Sequence, residues 1–118
     1  MANVCMNYVE VSAMGDDAEE QVKELVALVG KKFDFNKIIP LEFKDSAEES
    51  RKYWGCSSIS FDTKYGKIGD WNHEWIFWTK WCPPTFIYEK LKEMFPDVYI
   101  YWRYEEPSMN IYGFLQNE

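Results

Sequence analysis

The sequence has a single histidine, His73, and three scattered cysteines, Cys5, Cys56 and Cys82, with no C-x-x-C pair among them. That scarcity removes the ordinary thiol–imidazole zinc sets and leaves one imidazole to serve as base for any nucleophile. An odd, dispersed thiol count also does not suit a disulfide framework. The expectation is free, buried thiols, no metal and no cofactor. No apolar run approaches the roughly 18 residues of a membrane span, and no basic–apolar–small leader pattern opens the chain, so a cytoplasmic protein without a membrane partner is expected. Positive charge is short as well: 13 Lys and Arg stand against 20 Asp and Glu, a net of −7. Phosphate backbones and anionic membranes demand basic residues, which makes direct nucleic-acid binding an unfavoured class.

Aromatic side chains are plentiful. Six Trp, eight Tyr and eight Phe make up 19% of 118 residues, a length that fits one domain, 1–118, with a sizeable core. The organising stretch is 71–96. Its first half alternates as a strand, with Trp75, Phe77, Thr79 and Trp81 on one face and Glu74, Ile76, Trp78 and Lys80 on the other. After Pro83 and Pro84, whose fixed φ suits a first helical turn, the period changes. Ile87, Tyr88, Leu91, Met94 and Phe95 then form the apolar stripe of a helix that Pro96 ends.

Around this pair the other elements follow. Residues 3–12 alternate as a first strand with Cys5, Asn7, Val9 and Val11 on one side, the Asn being an unusual inward residue. Asp16 and Asp17 offer an N-cap to a helix from Asp17 to Val29 carrying Val22, Leu25, Val26 and Val29, and Gly30 offers its C-terminal stop. Phe33, Phe35, Ile38, Ile39, Leu41 and Phe43 read as an irregular crossing piece interrupted by Pro40. Ser46 and Glu49 have capping-box spacing for a short helix over Ala47–Tyr53. A strand over Ser57–Lys64, with Ile59, Phe61 and Tyr65 inward, leads by a glycine-containing hairpin to the Trp75–Trp81 strand. Val98, Ile100, Trp102 and Tyr104 alternate with Tyr99, Tyr101 and Arg103 through Val98–Glu105. Pro107 and Ser108 turn the chain into a last strand, Met109–Leu115. The order predicts an α+β protein with a split βαββαβ, ferredoxin-like sheet. Two main helices cover one face, and the sheet carries an irregular crossing and an extra C-terminal strand. The other face is expected to be open or covered by the crossing.

Several stretches resemble small phage and plasmid proteins with a YubB-type ferredoxin-like domain. They are Asn3–Asn7 with Val9 and Val11, Phe35–Pro40, Tyr53–Gly55, Phe77–Pro84, Phe95–Asp97 and Glu106–Gly113. Val4 stands where such proteins carry Trp, Cys-Ser-Ser follows Trp54-Gly55 where they tend to have Thr-Lys-Trp, and Cys82 stands where they carry a Ser helix cap. The resemblance implies a mobile-element protein of this topology, acting inside a host cell, and no catalytic activity.

Function classes can then be weighed. Cys82 at a helix start is the one candidate nucleophile, since a helix N-terminus favours a thiolate. The carboxylate pairs sit at helix starts and turns, where solvated faces are the ordinary reading. Charge distribution favours a binding protein: residues 1–29 hold six acids against Lys23, a net of −5, and residues 97–118 a net of −3, while 30–96 is +1. If the first and last strands of the βαββαβ unit are neighbours, Asp16, Asp17, Glu19, Glu20 and Glu24 join Glu105 and Glu106 in one acidic surface suited to a basic cleft. The expected partner is a host protein, with a nucleic-acid-handling defence machine such as a CRISPR effector as the leading case, its channels being positively charged. The alternative site is an aromatic sheet face of Trp78, Tyr99, Tyr101 and Arg103, able to take a small ligand or a nucleic-acid strand by stacking.

Overall fold

The computed structural model describes residues 4–13, 15–41, 47–106 and 111–115. Among them the chain forms, in order, β1 (Val4–Ala13), α1 (Glu19–Val29), α2 (Phe35–Ile38), α3 (Ala47–Trp54), β2 (Phe61–Lys67), β3 (His73–Lys80), α4 (Thr85–Met94), β4 (Val98–Glu106) and β5 (Ile111–Leu115). The strands make one sheet in the order β2-β3-β1-β4-β5, with every neighbouring pair antiparallel. β1 is central and both its flanks are long, so Cys5, Asn7, Val9 and Val11 are all fully buried on one face.

That face carries the core. Trp75 and Phe77 of β3 and Val98, Ile100 and Trp102 of β4 meet Val22, Leu25 and Val29 of α1 and Ile87, Tyr88 and Leu91 of α4. Phe33 sits at the centre: its ring stacks on Phe77 at 4.9 Å and meets Trp75 and Trp102 edge-on at 5.3 and 5.5 Å. Its backbone is left-handed, φ 54°, which costs a non-glycine residue about 1–3 kcal/mol. Burying a Phe side chain returns roughly 1.5–3 kcal/mol, so the ring's position stabilises the strained turn. The three buried Trp each donate their indole N–H: Trp75 to Gly30 O at 2.9 Å, Trp54 to Ile39 O at 2.8 Å, and Trp102 to Asn7 Oδ1 at 3.1 Å.

Several expectations need correcting. The crossing segment is not an extended cover for the outer sheet face. Asp34 caps Asn36 N–H at 3.0 Å and starts the short helix α2, which with Phe33, Phe35, Ile38 and Leu41 enters the core beside Trp54. Trp81 is 48% exposed rather than core, because β3 ends at Lys80 and a φ of 73° turns Trp81 out of the alternation. Ile59 lies outside β2 and is exposed, and the irregularity at Asp62 (φ 52°) puts Phe61 opposite Trp78, so only Tyr65 points inward as expected. Met94 is exposed and Val26 half-buried, both at the margins of their helical stripes. Asp16 and Asp17 lie in a 3-10 turn, and neither caps α1 through its side chain. Phe43, the Ser46 half of the capping box, Pro107, Ser108 and Met109 lie outside the described residues.

Gly55 fixes how the short helix α3 meets α4. Its φ is 92°, and a Cβ there would stand 2.9 Å from the backbone nitrogen of Thr85. Only glycine fits both demands.

Candidate functional site

The face of the sheet opposite the helices has no described element packed on it, and the register places its side chains in rows. One row runs Phe61, Trp78, Met6, Glu105, Tyr112, and the next runs Lys64, Ile76, Tyr8, Arg103, Phe114. Glu74, Glu10 and Tyr101 form a third, with Tyr99 beyond it opposite Ser12. All four residues of the sequence-derived aromatic site, Trp78, Tyr99, Tyr101 and Arg103, therefore share one face. Sequence reasoning missed Tyr8, Met6, Ile76 and Phe114, because the rows cross strands that are far apart in the chain. The alternation of β1 carried the signal for Met6 and Tyr8.

The face is ordered by its own contacts. The Tyr8 hydroxyl donates to Glu74 Oε2 at 2.9 Å, the Arg103 guanidinium lies 5.4 Å over the Tyr8 ring, and Tyr101 meets both Tyr8 and Phe114 edge-on at 6.0 and 5.5 Å. Burial and the neighbouring Glu74 carboxylate push the Tyr8 phenol up to about 12. Tyr99, Phe114 and Tyr112 are half or more exposed, while Trp78, Ile76 and Met6 are half-buried. Charge on the face is balanced, with Lys64, Lys80 and Arg103 against Glu10, Glu74 and Glu105.

The acidic surface divides. Antiparallel pairing sets the end of β1 beside the start of β4, so Asp97 joins Asp16 and Asp17 around one notch, with Gln21 holding the Asp97 carboxylate at 3.0 Å. Glu20 and Glu24 extend that patch as exposed residues and Glu19 is half-buried. Glu105 and Glu106 belong to the far end of β4, roughly 26–30 Å from Asp97 at strand rise. Glu105 stands on the open sheet face, and Glu106 is 2% exposed on the helix side, so it presents no surface charge. The single acidic face expected from the neighbouring strands is thus two separate regions, because neighbours in an antiparallel sheet bring opposite ends together.

The inward Asn7 is part of a buried chain. Its Nδ2 donates to Thr79 Oγ1 at 3.0 Å, the Thr79 hydroxyl donates to Cys82 O at 2.8 Å, and Asn7 Oδ1 accepts Trp102 Nε1. Cys82 itself is not the helix cap. Pro84 occupies that position, and the Cys82 thiol donates to Gly55 O at 3.0 Å. Burial raises its pKa, against a smaller lowering by Arg51, and burial pushes Cys5 and Cys56 up to about 12. The helix-start argument for a thiolate therefore loses its geometry. All three thiols are free, but only Cys5 and Cys56 are buried as expected; Cys82 is half-buried.

His73 is 8% exposed, its Nδ1 2.6 Å from the Tyr65 hydroxyl. Burial and the Lys67 charge lower its pKa from the ordinary 6.5. The unfolded chain then binds the proton more readily than the folded one, so stability is lost as pH falls through 6.5. Urea midpoints measured between about pH 5 and 7 should show this loss in the wild type, and His73→Gln should flatten the slope there. An unchanged slope in His73→Gln would show that other groups govern it. Among the described residues no group of three or more His, Cys, Asp or Glu is arranged to hold a metal ion, and no helix is long and apolar enough to cross a membrane. Compared with protein-family models, with curated proteins and with solved structures, the chain shows no match.

Proposed function

We propose that this protein is a non-catalytic binding module whose open sheet face docks a partner protein. The observation that carries the reading is the aromatic field of Trp78, Tyr8, Tyr101, Phe114 and Tyr112 around Arg103, on which no described element packs. Five strands about 4.8 Å apart and β1's ten residues give roughly 600 Å² of face, close to the 800 or so Å² that each partner contributes to a standard complex. Its composition is that of protein contact surfaces, which are rich in Trp, Tyr, Met and Arg. Balanced charge on the face and −7 overall disfavour a phosphate backbone.

Within the same proposal we place the ferredoxin-like class and the phage-type origin. The strand order β2-β3-β1-β4, with α1 and α4 on one side, supports the split βαββαβ arrangement. A host protein is then the natural partner. The acidic notch at Asp16, Asp17 and Asp97, extended by Glu20 and Glu24, supports a second reading, in which a basic cleft of a nucleic-acid-handling defence machine is occupied by carboxylates.

Capture from a bacterial lysate, with wild type and two variants side by side, separates the two. Trp78→Ala with Tyr101→Ala should weaken the captured partner's affinity by about 30-fold or more, the loss of at least one anchoring aromatic. Asp16→Lys with Asp17→Lys and Glu20→Lys should leave it nearly unchanged. If the charge reversals abolish capture, in a salt-dependent way, while the aromatic variant captures normally, the acidic surface is the site and the sheet-face reading is wrong.

A further inference from the structure

A second surface lies on the helix side of the sheet, where α1 faces the β2–β3 hairpin. There a cleft of about 480 Å³ has Val26 and Ala27 of α1 as its apolar wall and Trp71 of the hairpin opposite them. Lys23 and Lys67 stand at its margins, with the Lys23 ammonium 6.0 Å over the Trp71 ring, and Asp70 is the one carboxylate on the rim. His73 closes the inner end. Its Nδ1 is engaged with the Tyr65 hydroxyl at 2.6 Å. The cleft is thus a net-positive spot on a chain of net charge −7, and it combines an indole surface, two ammonium groups and an imidazole ring.

We propose that this cleft binds a small planar aromatic carboxylate, its ring laid against Trp71 and Val26 and its carboxylate held by Lys23 and Lys67. The volume suits such a molecule, since ligand pockets run from about 300 to 1,000 Å³. The lining argues for a monoanion rather than a phosphate ester: two point charges opposed by Asp70 balance one negative charge. Lys23 already lies over the Trp71 face, so an aromatic anion gains stacking and charge pairing together. The site is independent of the open sheet face, and the failure of either reading leaves the other standing.

The lone histidine provides the test, because His73 gives the only imidazole signals in the proton spectrum of the 118-residue chain. Titration with indole-3-acetate should shift the His73 ring resonances saturably and raise the ring's pKa, since an anion nearby favours imidazolium. The neutral analogue tryptophol should bind more weakly. Lys23→Met and Lys67→Met, both at exposed positions, should each weaken indole-3-acetate about two- to fivefold, the worth of an exposed ion pair, and bring it toward tryptophol. Trp71→Ala should remove the saturable shift. Absence of saturation by about 10 mM, or equal affinity for indole-3-acetate and tryptophol, would overturn the proposal. Tighter binding of adenosine monophosphate than of indole-3-acetate would overturn the ligand class, and lysine variants without effect would overturn the assigned contacts.

Discussion

Phe33→Ala should lower the unfolding free energy by about 3–5 kcal/mol, the range for removing a large aromatic ring from a packed core. Phe33 has no exposed surface and touches Phe35, Trp75, Phe77 and Trp102, which come from the crossing segment and two strands. Removing the ring opens a cavity at the point where these elements meet. The alanine also keeps the cost of a left-handed backbone, because it retains a Cβ at φ 54°. Phe33→Gly separates the two effects. Glycine adopts that φ without steric cost, so it should be no less stable than Phe33→Ala despite its freer unfolded chain. Urea unfolding with an unchanged m-value is the measurement. A loss below about 1 kcal/mol for Phe33→Ala would mean that the crossing segment is not locked into the core as described.

The second large effect belongs to Asn7. Asn7→Leu keeps the approximate volume and removes the acceptor for Trp102 Nε1 and the donor to Thr79 Oγ1. The Thr79 hydroxyl retains Cys82 O as its own acceptor, so the stranded group is the indole N–H. A buried donor left without a partner costs about 1–3 kcal/mol, and the expected loss is of that size. Adding Trp102→Phe removes the stranded N–H, although it also removes ring volume. The double variant should therefore lose clearly less than the sum of the two single changes, a coupling of about 0.5–3 kcal/mol for residues in one network. Strict additivity would show that the Asn7–Trp102 hydrogen bond does not hold the centre of the sheet.

Much of the candidate site is legible in the strands that bear it. The alternation Tyr99, Tyr101, Arg103 against Ile100, Trp102 is a local, period-2 property, and the same is true of Ile76 and Trp78 against Trp75 and Phe77. Which of these rings becomes a surface depends on where the crossing segment packs. Residues 33–41 are apolar enough to cover either face, and their placement is decided by how Phe33 and Phe35 fit between Phe77 and Trp102 or Trp54. The β2 register was not legible, because Phe61, Thr63 and Tyr65 suggest continuous alternation and the break at Asp62 is a backbone event. The cleft at Trp71 was also hidden, since Lys23 and Lys67 are separated by 44 residues and line one cleft only in the folded chain.

By itself the sequence determined the α+β class, the helical stripes of α1 and α4, the two-faced strands β1, β3 and β4, and the acidic net charge of −7, because each follows from periodicity or composition along the chain. Only the tertiary structure decided that no described element covers the aromatic face, that Glu106 is buried and far from Asp16, that Asn7 satisfies Trp102, and that Lys23 meets Trp71. Those outcomes depend on strand order, register and the competition of apolar segments for one core. These are long-range packing terms, which no local pattern in the chain encodes.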